Sequence, residues 1–263
     1  MRKPLYKRVW FWCLIIIAVF WAIGKRNELK EKAATVSPEA STPVQIAPTG
    51  SPKQDKSETV SYEITDTVFE YKTVSAGSTE YKAIVEILNT GTVDLYLDDC
   101  SFDLEDDNGH LLQTEKFISA CPDVIRPGEK GYFYNGIGAL LIDNNVPLEN
   151  GVNLKPVPSV EKARGTIVEY EVSDVSLRAG MYGPTVTGRV LNNTDTDNSY
   201  FYIQVIYYGA DGKVLAISGT SITDFKAGSQ TSFEITPIGV PLGLPFDKIA
   251  DYKIVARPEH LQF

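Results

Sequence analysis

Histidine is nearly missing from this chain: 263 residues hold only His110 and His260. A Ser-His-Asp or Cys-His centre needs a histidine held in a pocket. His110 instead follows a hairpin glycine, and His260 lies in the C-terminal tail. A histidine-based metal site needs more nitrogen ligands than these two supply. The chain is therefore expected to be no enzyme and to carry no cofactor, with catalytic and cofactor-binding residues both absent. Cysteine is scarce too. Of the three, Cys13 sits in an apolar N-terminal run, which leaves Cys100 and Cys121. Helix-length apolar periodicity is lacking from residue 60 onward, which argues against an α-helical domain there.

Positive charge is scarce outside the N-terminus. Residues 1–32 carry eight Lys/Arg and two Glu, a balance of +6, so the remaining 17 basic and 32 acidic residues sum to −15. Such a surface repels nucleic acid and anionic polymers and leaves cationic or neutral partners open.

The one long uncharged run is Val9–Gly24, with basic residues on both sides. As a helix its sixteen residues span about 24 Å, close to the ~30 Å hydrocarbon core once Arg8 and Lys25 snorkel. Trp10, Trp12 and Trp21 stand where interfacial belts place tryptophan. No small residues in A-x-A spacing precede Lys25, which disfavours a cleaved signal peptide. The expectation is a basic cytoplasmic tail over 1–8, a transmembrane signal anchor over 9–24 and a flexible Pro/Ser/Thr-rich linker over 25–59. The cell membrane is then one partner, spanned once, with the C-terminal modules outside.

Beyond the linker the chain is a tandem repeat. Leu88-Asn89 recurs as Leu191-Asn192, and the spacing from Asn89 to Gly109 equals that from Asn192 to Gly212. Ahead of each copy stands a second signature, Tyr62-Glu63-Ile64-Thr65-Asp66 and Tyr170-Glu171-Val172-Ser173-Asp174. Two modules are expected, at 60–160 and 164–263, with residues 143–163 holding a short link between them. Period-two alternation, hairpin signals at Asp107-Asn108-Gly109 and Ala210-Asp211-Gly212, and a turn every eight to twelve residues read as antiparallel β-sandwiches. Asp66 interrupts the alternation of its strand, which predicts a kink. The first strand of the second module is expected over Ile167–Val172.

This pattern resembles the FxLYD family of bacterial exported or membrane-anchored proteins. Phe102-Asp103-Leu104-Glu105-Asp106 matches the family motif at Phe, Leu and Asp, with Glu105 where the family has Tyr. In the second copy, Val205-Ile206-Tyr207-Tyr208-Gly209 keeps only Tyr208. The resemblance implies an all-β chain of two tandem immunoglobulin-like sandwiches outside the cytoplasm, with no shared catalytic residue. The function it supports is non-enzymatic binding or scaffolding of an envelope partner.

Three features could carry specificity. Asp103, Glu105 and Asp107 offer the oxygen ligands calcium prefers, in a register wrong for an EF-hand. They motivate the alternative of a calcium- or ligand-responsive sensor, against solvated hairpin tips. Cys100 aligns with Ile203 on the core face of its strand, and Cys121 has no counterpart. In an exported module the two are candidates for a disulfide worth about 3 kcal/mol, against one buried and one exposed thiol. Tyr200, Tyr202 and Tyr208 form the outward set on an aromatic strand, a candidate binding surface or simply cross-strand packing.

Overall fold

A computed structural model describes residues 58–75, 78–117, 119–135, 140–142, 151–237, 240 and 242–258. The expected tail and anchor and almost all of the expected linker lie outside these residues, as does Cys13. Among the described residues no helix is long and apolar enough to cross a membrane. Asp55–Phe263 forms one compact unit, built of antiparallel β-strands.

The first module holds β1 (Tyr62–Ser75), β2 (Ser78–Asn89), β3 (Leu95–Glu105), β4 (Leu111–Lys116), β5 (Ser119–Cys121), β6 (Val124–Ile125), β7 (Lys130–Tyr134), β8 (Leu140–Ile142) and β9 (Asn153–Lys162). One sheet runs β1-β2-β7-β5, with β8 also on β2. The other is centred on β3. There β6 pairs at Leu95 and Tyr96 and β4 at Ser101–Glu105, while β9 pairs along almost the whole strand. Alternation turns Tyr81, Ala83, Val85 and Ile87 of β2 onto Leu95, Leu97, Phe102 and Leu104 of β3, and each is at most 2 % exposed. Each large apolar side chain so buried contributes roughly 1.5–3 kcal/mol.

The second module holds β10 (Glu171–Gly180), β11 (Gly183–Leu191), β12 (Asn198–Tyr208), β13 (Val214–Phe225), β14 (Gln230–Ile235), a single 3₁₀ turn (Phe246–Lys248) and β15 (Asp251–Val255). Sheets β10-β11-β14 and β13-β12-β15 enclose a second core around Val186, Phe201, Ile203, Val205, Tyr207 and Phe233. Tyr170, Phe201 and Phe225 pack their rings together at 4.9–5.3 Å between centroids. The expected strand at Ile167–Val172 begins later, at Glu171. Tyr170, just before it, is buried in irregular backbone whose amide donates to the Ala256 carbonyl.

The repeated signatures have matching physical jobs. The Asn89 Nδ2 donates to the carbonyls of Val93 at 2.8 Å and Ile125 at 3.0 Å, tying the end of β2 to the opposite sheet. The Asn192 Nδ2 does the same with Thr196 at 2.9 Å and Phe225 at 3.2 Å. Each Oδ1 accepts from an amide two residues on, Gly91 or Thr194. Both carbonyls accept from the amide of a turn glycine with positive φ, Gly128 at 78° and Gly228 at 66°. The Tyr-Glu signatures end in β-bulges. Register shifts between Ile64 and Asp66 and between Ser173 and Ser176, and the expected kink at Asp66 is the first of them.

One stretch differs from expectation. Residues 153–162, placed by the sequence within the link, form β9 on β3. Leu154 and Val160 pack against the first core from it.

Candidate functional site: the cleft between the modules

β12 presents two faces. Phe201, Ile203, Val205 and Tyr207 fill the second module's core. Tyr200, Tyr202, Gln204, Ile206 and Tyr208 point the other way, as period two requires. That other face meets the first module. Ile206, with Val214, Ile217 and Val255, buries against Ile84, Cys121, Tyr132 and Tyr134. A third apolar cluster thus joins the two modules.

Polar contacts fix the seam. The Gln204 Nε2 donates to the Tyr134 hydroxyl at 2.8 Å and to the Ala120 carbonyl at 3.1 Å. Arg257 donates to the Val124 carbonyl at 2.9 Å, to Glu129 at 2.8 Å and to Glu169 at 3.4 Å. Burial raises the Glu129 carboxyl's pKa, but hydrogen bonds from Arg257 and the Arg126 amide, with the charges of Arg257 and Lys253, outweigh it and leave it lowered. The amide of Leu242 donates to Glu80 at 3.1 Å, and Lys213 pairs with Asp66 at 3.4 Å.

At one end of this seam the modules part and leave a cleft of about 400 Å³. The first module lines it with Tyr96, Leu97, Asp98, Asp99, Cys100, Phe117, Ser119, Ala120, Asp123 and Phe133. The second contributes Tyr200, Tyr202, Gln204 and Arg257. Tyr200 is half exposed at 49 %, and Tyr202 lies deeper, where burial raises its hydroxyl's pKa. Lys116 donates to Asp99 at 2.5 Å, and this hydrogen bond holds Asp99 below the usual carboxylate range. Such walls can bind and orient a ligand.

The predicted site residues separate. Tyr200 and Tyr202 come together in the cleft. Tyr208, on the same face, instead sits at the seam with its hydroxyl 3.4 Å from that of Tyr132. Cys100 and Cys121 are free thiols, so the expected disulfide is not formed. Cys100 points from β3 into the first core, and Cys121 points from β5 toward the second module. Both are buried, which also departs from the one-exposed alternative.

The calcium candidates are occupied elsewhere. Asp103 accepts from the Thr114 hydroxyl at 2.6 Å, Glu105 pairs with Lys155, and Asp107 accepts from Asn153 at 3.0 Å. Among the described residues no three His, Cys, Asp or Glu side chains converge as a metal site would need. Asp106 serves the hairpin, accepting from the amides of Asn108 and His110 and from the His110 ring, and its pKa is lowered to about 2.

Asp123, Gln204 and Arg257 were not singled out from the sequence. A signal did exist: Ile84 and Ile206 put large aliphatics on faces that alternation turns away from their own cores. A sheet apolar on both faces is one covered on both faces.

Fold and site together define an all-β architecture of two modules joined over an apolar seam, with a cleft at its end. No family model matches the chain, and no curated protein matches it.

Proposed function

We propose that this chain is a single-pass membrane protein whose two FxLYD-like, immunoglobulin-like modules stand outside the cell and bind a partner at the envelope without catalysis. The observation that carries the reading is the cleft between the modules, walled by tyrosines and carboxylates from both. Binding in it needs both modules at once, which gives a reason for their apolar seam. The uncharged run over 9–24 with its flanking basic residues supports the anchor. Support for a non-catalytic role comes from His110, which is spent on Asp106 at an exposed hairpin.

The test is site-specific photocrosslinking in the native envelope, with the full chain carrying a photoreactive residue at position 200. Position 181, where Met181 is 88 % exposed on a turn of the second module, is the control. A covalent adduct specific to position 200 is expected. Equal adducts at both positions, or none at 200, would overturn the cleft as the binding site.

A further inference from the structure

We propose that the cleft receives a lysine or arginine side chain of a partner polypeptide, an inference that rests on the cleft being the binding site.

The first observation is a bulge. β3 shifts register against β9 between Leu97 and Asp99, so Asp98 is an extra residue. A regular strand would send Asp98 and Asp99 to opposite faces; the bulge breaks that alternation, and both border the cleft. The second module lines the same cleft with Tyr200 and Tyr202. Carboxylates and aromatic rings that line one cleft suit an ammonium or guanidinium, since it is drawn both to the negative charge and to the ring faces. Asp99 already accepts from one ammonium, that of Lys116. Asp98 beside it accepts at 3.5 Å from the Ser159 hydroxyl and also lies within electrostatic reach of Lys116.

The second observation is Arg257. It lines the same cleft, its side chain is 6 % exposed, and its Nε is buried without a hydrogen-bond partner. That N–H is covered by protein in the empty cleft, so a peptide carbonyl next to a basic side chain satisfies it only as the Arg257 side chain shifts to admit the ligand. An anionic ligand fits worse. Three carboxylates, Asp98, Asp99 and Asp123, line the cleft against one guanidinium, which Glu129 and Glu169 already hold. A volume of about 400 Å³ suits one long side chain with its adjoining backbone. The −15 balance beyond residue 32 draws a basic partner in from a distance.

The test is calorimetric titration of the full chain in non-ionic detergent with three probes: end-blocked Gly-Lys-Gly, its norleucine counterpart and 1,5-diaminopentane. The lysine peptide is expected to bind saturably at one site, with the norleucine peptide about tenfold weaker. Asp98→Asn and Tyr200→Leu, both at exposed positions, are each expected to weaken the lysine peptide several-fold with Tm unchanged. Equal binding of the norleucine peptide, or no loss in either variant, would overturn the cation. Diamine binding as tight as the peptide would overturn the polypeptide. No binding by any probe would overturn the proposal as a whole, while the adduct at position 200 independently judges the cleft itself.

Discussion

The Nε2 of Gln204 lies 2.8 Å from the Tyr134 hydroxyl, and that hydrogen bond crosses from one module to the other. Gln204 is 8 % exposed, so its amide has exchanged water for two acceptors of the first module, Tyr134 and the Ala120 carbonyl. Gln204→Leu keeps the volume but leaves the buried Tyr134 hydroxyl without this donor. A loss of about 1–3 kcal/mol is expected in denaturant unfolding. An unchanged midpoint would mean that the seam does not depend on this contact.

Asn89 and Asn192 do one job in two places, at 1 % and 0 % exposure. Alanine at either removes two hydrogen bonds to carbonyls and one from an amide, and at Asn192 one more from the Thr194 hydroxyl, leaving buried groups unsatisfied. Each substitution is expected to cost about 3 kcal/mol, and the two to cost alike. Chemical denaturation of the single variants checks this, and a neutral result at one would break the equivalence.

Acid should loosen the seam at Arg257. Glu129 is held below its ordinary 4.5. A carboxyl lowered on folding stabilises the fold fully above its unfolded value and loses that contribution as pH falls through the folded one. Tm is therefore expected to drop on acidification below about pH 4.5, with Asp106 adding to the drop as pH nears about 2. Arg257→Met removes one of the two ion partners of Glu129 and leaves Lys253, so the variant is less stable at neutral pH, by about 3 kcal/mol, and loses less on acidification in the Glu129 range. Parallel Tm curves for the two proteins would uncouple Arg257 from Glu129.

The thiols make a separate prediction. Burial pushes Cys100 up to about 12 and raises Cys121 as well, so neither supplies much thiolate at neutral pH. Under denaturing, non-reducing conditions both should react with a thiol reagent. In the folded protein they should react only as fast as the chain unfolds. Failure of both to react when denatured would mean that they are bridged.

Local patterns made the repeat legible. Leu-Asn, the hairpin glycines and the kink at Asp66 all act within a few residues of themselves, and the structure uses each as its pattern implies. β9 was not legible because Pro156 and Pro158 look like link residues. An edge strand tolerates them: spaced by two, their nitrogens share one direction and can face away from β3. Tyr200 and Tyr202 were legible as an outward pair, but the cleft was not. It exists only where two modules meet, and residues far apart in sequence, Asp98 and Arg257 among them, become neighbours through that packing. Ile84 and Ile206 were its trace in the sequence.

The joining of the modules into one body underlies the cleft, and a distance distribution tests it most directly. Spin labels at Leu111→Cys on the first module and Met181→Cys on the second, 61 % and 88 % exposed as the native residues, with Cys13→Ser, report on both modules without touching the seam. Pulsed electron–electron resonance on the full chain should give a single narrow distance peak. A broad or multiple distribution would show modules that move independently, and neither the seam nor the cleft would survive it.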